Sequence, residues 1–146
     1  MAPEERLDEE LARDRLNAAL SLQMRSALQY SLSAASLVGF DAPAIAGLLT
    51  EYGDRELADA RQLIEKIVAV GSSPTTEVAE LRVHRGVEDA VGWLIDCERA
   101  AVDALQAAIE PTGREGRSEA LEHMLEHMIM RKQRQIDFLE RSRSSP

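Results

Sequence analysis

Apolar residues recur at alternating steps of three and four in four long stretches of this 146-residue sequence. A repeat near 3.6 residues places such side chains on one face of an α-helix. The stretches fall at residues 5–38, 43–70, 87–109 and 117–141. Because each face must be buried against another element, the pattern predicts an all-α four-helix bundle.

The connections predict how the four helices are joined. Short segments with Gly and Pro, at 39–43 and 111–113, indicate tight turns. We expect Asp41 and Ser118 to be helix N-caps, because short polar side chains accept hydrogen bonds from the first backbone amides. Residues 72–86 are too long for a tight hairpin and have only weak periodicity. We therefore expect a long crossover between the second and third helices.

Composition supports one helical domain over residues 1–146, with residues 142–146 as a frayed tail. The sequence is 45% hydrophobic but only 3% aromatic, which favours helices packed through aliphatic side chains. Its net charge of −9 argues against nucleic acid as a main partner.

The cysteine content and the hydropathy of the sequence indicate a cellular compartment. Cys97 is the only cysteine, so an internal disulfide is excluded and a reducing compartment fits. No apolar run reaches the length of about 18 residues that a membrane span needs. The first residues lack an apolar signal core. We therefore expect a cytoplasmic protein with no membrane partner.

Six polar residues interrupt the apolar stripes, and every predicted helix contributes at least one of them. They are Gln23, Glu56, Asp59, Glu98, Lys132 and Gln135. Helices that direct polar side chains at a shared axis can hold a metal in a bundle core. A protonated lysine repels a cation, however, and offers donors where a metal needs acceptors. Lys132 therefore predicts an internal ion pair with Glu56, Glu98 or Asp59.

Several segments resemble the bacterioferritin branch of the ferritin-like superfamily. DRELADARQLIEKI is similar to that family's second-helix Glu-x-x-His motif and the run that follows it. RQIDFLE is similar to the His-Ile-Asp-Trp-Leu-Glu sequence that closes the fourth-helix motif. The segments LNAALSLQMRSALQYSLSA, VGSSP and CERAAVDALQAAI resemble the first helix, the start of the crossover and the third helix. The resemblance covers nearly the whole chain and implies an up-down-down-up bundle.

The resemblance also implies where a diiron centre would lie. Glu56 and Glu98 keep two of the family's glutamate ligands. Gln23 and Lys132 stand where the family has glutamates, and Asp59 and Gln135 stand where it has histidines. This set has three carboxylates, two amides and an ammonium group, so it implies a degenerate diiron site.

Two other positions, and an expectation about the oligomer, follow from the same resemblance. Tyr30 falls at the family's tyrosine beside the diiron centre, and Leu57 replaces its haem-ligating methionine. We therefore expect no haem. We expect no counterpart of the short fifth helix of the family's 24-subunit cage, and this favours a homodimer packed along the first two helices. Leu22, Leu32 and Leu37 are the apolar residues expected on that outer surface.

These observations leave several functions open. We favour a non-catalytic scaffold or binding module with a metal-free polar core and no cofactor. The alternative is an iron-handling protein that binds one divalent ion, iron or manganese, through Glu56, Asp59 and Glu98. A third hypothesis is a cofactor-free enzyme that uses Lys132 as a base or an imine-forming amine.

His123 and His127 form a second candidate metal pair, because residues four apart share a helix face. That face is offset from the apolar stripe and is crowded with charged residues. We expect it to face solvent or another subunit.

Overall fold

A computed structural model describes residues 9–111 and 116–143, and this part of the chain folds into four α-helices without a β-strand. The helices are α1 (Glu9–Ser36), α2 (Ala42–Ala69), α3 (Val87–Ile109) and α4 (Gly116–Ser142). The all-α prediction is confirmed, and the helix boundaries agree with the apolar periodicity to within a few residues. The start of the first helix, expected at residue 5, lies outside the described residues.

Glycines mark the ends of the first two helices. Gly39 has φ +116° and Gly71 has φ +79°, a left-handed region that glycine enters without a steric penalty. Asp41 occupies the N-cap position of α2 as predicted, but its side chain makes no capping hydrogen bond. A proline in the first turn supports the start of this helix instead.

Two predictions about α4 were wrong. Ser118 is not its N-cap, because the helix already begins at Gly116 and Ser118 lies buried in the first turn. Ser142 is not part of a frayed tail, because the helix continues through it and its hydroxyl donates to the Phe138 carbonyl at 2.8 Å. Residues 144–146 of the expected tail lie outside the described residues.

The segment after α2 is the predicted long crossover, and it runs along α1. Asn17 in the first half of α1 contacts the start of the crossover, donating to the Ser73 carbonyl at 3.1 Å and accepting from the Thr75 amide at 2.8 Å. Further along, the Gln29 side chain donates to the Arg82 carbonyl at 2.8 Å and accepts from the Arg82 amide at 2.9 Å. These bonds satisfy backbone groups that no helix or sheet would satisfy.

Contacts at the bundle ends fix the direction of each helix. Arg13 near the start of α1 donates to the carbonyl of Val70 just after α2, at 2.9 Å, so these helices are antiparallel. The crossover returns along α1, so α3 begins at the same end as α2. Arg143 just after α4 pairs with Glu88 at the start of α3, at 3.5 Å. The order is therefore up-down-down-up, as the resemblance implies.

Two apolar clusters fill the described core, one towards each end of the bundle. Leu16, Leu63, Leu105 and Leu125 belong to the first. Tyr30, Leu49, Leu94 and Leu139 belong to the second. Between them lies a buried polar layer, described below.

The apolar residues expected on the outer surface of the first two helices are not the most exposed ones. Leu22 and Leu32 on α1 and Leu37 just after it are only partly exposed, and Leu37 packs against the second apolar cluster. The more exposed apolar side chains of α1 and α2 are instead Leu28, Leu57, Ile64 and Val68. Within the part of the chain that the structure describes, no helix is long and apolar enough to cross a membrane.

Candidate functional site

All six polar residues that interrupt the apolar stripes are buried. Their positions at steps of three, four and seven along each stripe place them on the inward helix faces. Five of them bond to one another across the bundle, and we call this set the central cluster: Gln23, Glu56, Glu98, Lys132 and Gln135. Each is at most 3% exposed.

The ammonium group of Lys132 lies between two glutamates. Its Nζ donates to Glu56 Oε2 at 2.5 Å and to Glu98 Oε1 at 3.0 Å. The lysine comes from α4 and the glutamates come from α2 and α3, so one charged side chain connects three helices. The predicted internal ion pair therefore agrees with this geometry, and the lysine does not extend to solvent.

Two glutamines complete the hydrogen bonds of these carboxylates. Gln135 Nε2 donates to Glu56 Oε1 at 2.6 Å and to Glu98 Oε2 at 2.8 Å. Gln23 Nε2 from α1 donates to Glu56 Oε2 at 2.5 Å and to the Glu56 carbonyl at 2.9 Å. All four carboxylate oxygens thus accept hydrogen bonds, as buried acids require.

The two glutamates differ in how readily they ionise. Burial alone would raise the pKa of Glu56, but the Lys132 charge and the hydrogen bonds to its carboxylate bring that pKa below its ordinary value. Burial raises the pKa of Glu98 to about 8, and the neighbouring Glu56 charge adds to this, against the attraction of Lys132. Glu98 therefore holds its proton more tightly than Glu56.

Lys132 itself stays charged. Burial would lower the pKa of the ammonium group, but the charges of Glu56 and Glu98 outweigh this and hold its pKa above the ordinary value. One ammonium group thus faces two carboxyl groups, of which Glu98 ionises less readily, so the net charge buried in the cluster stays small. This balance is how a fully buried lysine is tolerated in a bundle core.

Asp59 is buried but does not join the central cluster. Its carboxylate pairs with the guanidinium of Arg131 on α4, so of the three partners considered for Lys132 only Glu56 and Glu98 bond to it. One turn along α2 from Glu56, Asp59 lies nearer the edge of the stripe, where the partly exposed Arg131 can meet it. Burial raises the pKa of Asp59 to about 6 despite this partner.

Tyr30 lies beside the cluster, as the resemblance implied. Its side chain is fully buried and packs edge-on against Tyr52, with the ring centroids 5.7 Å apart. Among the described residues, its hydroxyl has no hydrogen-bond partner of normal geometry. Burial, followed by the nearby charges of Glu98 and Glu56, raises the pKa of this phenol well above its ordinary value.

The donor set of the central cluster does not fit a diiron centre. Two irons need carboxylates that bridge them and offset their charge. Here the carboxylate oxygens of Glu56 and Glu98 already accept bonds from Lys132 and Gln135. The space between those carboxylates is occupied by an ammonium group, which repels a cation.

The alternative single-ion set is not assembled either. Across residues 9–111 and 116–143, no group of three His, Cys, Asp or Glu side chains is placed to hold a metal ion. Glu56 and Glu98 share Lys132, whereas Asp59 is bonded to Arg131. Asp59 therefore has a different partner from the two glutamates, and the three carboxylates do not converge.

The remaining candidates lie away from this centre. His123 and His127 are exposed on α4, as predicted, and His123 Nδ1 lies 3.9 Å from Glu126 Oε2. Cys97 is buried, and burial raises the pKa of its thiol to about 11, which keeps it protonated.

Two features were not recognised in the sequence. One is Arg131, the true partner of Asp59. The other is an arginine-lined groove beside it, to which Arg134 and Arg141 contribute. The signal was present, because residues 131, 134, 138 and 141 recur at helical spacing on α4.

Comparison with known proteins agrees with this architecture. The Ferritin family, described as a ferritin-like domain, matches residues 13–143. The chain belongs to the ferritin-like family. The membership implied by the sequence resemblance is thereby confirmed.

Solved structures show the same fold. This ferritin-like chain superposes on a ferritin-like, diiron-carboxylate protein of Bacillus anthracis with a TM-score of 0.85 and 20% identity, over 97% of this chain and 98% of the other. The dodecameric thioferritin of Bacteroides fragilis, a bacterioferritin-related protein, gives 0.82 and 19% identity over 92% and 85%. The bacterioferritin of Rhodobacter capsulatus gives 0.74 and 20% identity over 88% and 81%.

At these identities the ferritin-like protein shares a fold with its structural neighbours, and their chemistry does not transfer with it. No curated protein shows significant similarity to the chain. Its function has to be argued from its own central cluster.

Proposed function

We propose that this ferritin-like protein has lost the ferroxidase centre and serves as a non-catalytic scaffold or binding module. The observation that supports this is the position of Lys132 Nζ, 2.5 Å from Glu56 Oε2 and 3.0 Å from Glu98 Oε1. The ammonium group supplies the positive charge that a metal would otherwise bring to the two glutamates. The centre is then complete without a cofactor.

The same geometry argues against lysine-based catalysis. An amine acts as a base or forms an imine only when it is unprotonated. The two neighbouring carboxyl groups raise the pKa of Lys132 and keep its proton in place. The ammonium group is also fully buried, so a substrate can contact it only if the surrounding side chains move.

Aerobic oxidation of Fe(II) tests the proposal directly. Purified protein is mixed with Fe(II), iron oxidation is followed by absorbance, and bound metal is measured by elemental analysis after desalting. We expect the rate to equal that of buffer alone and the bound iron to stay well below one ion per chain. A rapid phase that consumes two irons per chain would refute the proposal, and one retained ion per chain would support the single-metal alternative.

We also propose that the ferritin-like oligomer is a dimer formed along α1 and α2. Leu28 on α1 and Leu57 on α2 are 48% and 53% exposed, and Ile64 lies two turns further along α2. Exposed leucines on adjacent helices form an apolar surface that a second subunit can cover.

Light scattering coupled to gel filtration tests this assembly. We expect the mass of two subunits for the wild type and of one subunit for Leu57→Glu. The control is Val83→Glu, which adds the same charge at an exposed apolar position of the crossover. A wild-type particle of many subunits would exclude the dimer. The cytoplasmic location expected from the sequence stays a prediction.

A further inference from the structure

A groove between α2 and α4 has a charge opposite to that of the protein as a whole. The chain carries a net charge of −9, yet four of the residues that line this groove are arginines and none is acidic. Two of the other lining residues are aromatic, and the third is a glutamine of the central cluster. The full lining is Arg55, Arg131, Arg134, Arg141, Tyr52, Phe138 and Gln135. Such a concentration of guanidinium groups is unfavourable unless anions neutralise it.

Carboxylates within the protein neutralise only half of these arginines. Arg55 pairs with Glu51 at 2.6 Å, and Arg131 pairs with Asp59. In the described part of the chain, Arg134 and Arg141 have no acidic partner within salt-bridge distance. The Nε of Arg131 is buried and also lacks a hydrogen-bond partner there. The groove thus offers unused donors and an excess of positive charge.

The aromatic side chains add flat surfaces beside these charges. The Arg55 guanidinium lies 5.8 Å from the centroid of the Tyr52 ring, and the Arg141 guanidinium lies 5.8 Å from that of Phe138. Phe138 is 39% exposed, so part of its ring is open to a ligand. The groove encloses about 490 Å³, which is within the usual range for small-molecule sites.

We propose that this groove binds an organic phosphate that carries a planar ring, a molecule of the size of a nucleoside monophosphate. Guanidinium groups bind phosphate through paired N–H donors, and planar rings stack on aromatic faces and on guanidinium planes. This inference gives a ligand class to the proposed binding module. It does not depend on a metal-free centre, which the iron oxidation assay tests separately.

Titration calorimetry at low ionic strength with AMP, ribose 5-phosphate and adenosine tests the proposal. These probes contain the phosphate and the ring together, the phosphate alone and the ring alone. We expect AMP to bind most tightly, and its affinity to fall as salt is added. Arg134→Gln and Arg141→Gln should each weaken AMP binding roughly tenfold, because each removes a charged hydrogen-bond donor.

Arg61→Gln is the matched control, since it removes the same charge from an exposed position of α2 outside the groove. Circular dichroism checks that each variant keeps its helices. The proposal is overturned if AMP gives no binding heat with the wild type, or if Arg61→Gln weakens binding as much as Arg134→Gln. It is also overturned if ribose 5-phosphate or adenosine binds as tightly as AMP.

Discussion

Lys132 Nζ lies 2.5 Å from Glu56 Oε2, and neither side chain is more than 2% exposed. A buried pair at this distance gains strong Coulomb attraction but loses the hydration of both charges. Its net contribution to stability is therefore small compared with the cost of leaving one partner alone. Substituting either residue should therefore change the free energy of unfolding by more than the intact pair contributes to it.

Lys132→Glu should destabilise the protein and make it responsive to metal. The change places a third acid beside Glu56 and Glu98, and carboxylates that close cannot all ionise. We expect a loss of about 2–4 kcal/mol at neutral pH. Mn(II) should restore part of this by binding preferentially to the folded state. The measurement is thermal unfolding with and without Mn(II).

The control for this variant is Lys66→Glu, the same charge reversal at the partly exposed lysine of α2. It should cost far less and should not respond to Mn(II). If Lys132→Glu is as stable as the wild type without metal, Lys132 is not an internal counter-ion. If the wild type gains several degrees from Mn(II), the metal-free proposal gives way to the single-metal alternative.

The stability of the protein should fall as pH rises from about 4.5 to about 8. Folding raises the pKa of Glu98 from 4.5 to about 8. Within this window the unfolded chain releases a proton that the folded chain keeps, so increasing pH favours unfolding. Asp59, raised from 3.8 to about 6, acts in the same direction at the acidic end. Because one pKa unit corresponds to about 1.4 kcal/mol, we expect Glu98 to contribute up to roughly 5 kcal/mol across the window.

Two neighbouring groups act outside this window. The lowered pKa of Glu56 adds stability that is lost only below pH 4.5, and the raised pKa of Lys132 adds stability that is lost only above pH 10.5. Urea unfolding of wild type and Glu98→Gln at pH 5, 6.5 and 8 measures the Glu98 contribution. The variant should show a much flatter dependence. Equal slopes for the two proteins would contradict a raised pKa of Glu98.

Gln29→Ala should loosen the crossover. The Gln29 side chain bonds both backbone groups of Arg82, and its Oε1 also accepts from Trp93 Nε1 at 2.8 Å. The Arg82 guanidinium covers the Trp93 ring at 4.0 Å. Truncation leaves several partly buried groups unpaired, so we expect a loss of about 1–3 kcal/mol.

Trp93 is the single tryptophan, so its fluorescence reports this site alone. Its emission should shift to longer wavelength in Gln29→Ala, and the crossover should be cut faster by protease. Gln62→Ala, at an exposed position of α2, is the control and should change neither. An unshifted spectrum with normal stability would show that Gln29 does not hold the crossover.

Two glycines of α2 should respond in opposite directions to alanine. A Cβ on Gly53 would lie 3.1 Å from the Cβ of the buried Tyr30, which cannot easily move, whereas a Cβ on Gly47 would meet nothing within 4 Å. Gly47→Ala should stabilise the protein by about 0.5–1 kcal/mol through helix propensity. Gly53→Ala should lose that gain and destabilise, because α1 and α2 approach closely there. Urea unfolding measures the stability of both variants. A stabilised Gly53→Ala would mean that α1 and α2 can move apart at this contact without a loss of stability.

The sequence by itself determined the helices and their order. Apolar periodicity predicted which residues face inward, because a helix face can be recognised from the spacing of its own residues. It therefore predicted the buried positions of Gln23, Glu56, Glu98, Lys132 and Gln135. The length and weak periodicity of residues 72–86 were sufficient to predict a crossover.

Only the tertiary structure decided which of these inward residues bond to one another. Asp59 and Glu56 share one face of α2, but the approach of α4 gives Lys132 to Glu56 and Arg131 to Asp59. The arginine groove likewise exists because α2 and α4 lie side by side, so arginines from two separate segments line one cavity. Helical periodicity is local and can be read along the chain, whereas pairing across a bundle depends on angles and distances that the periodicity does not contain.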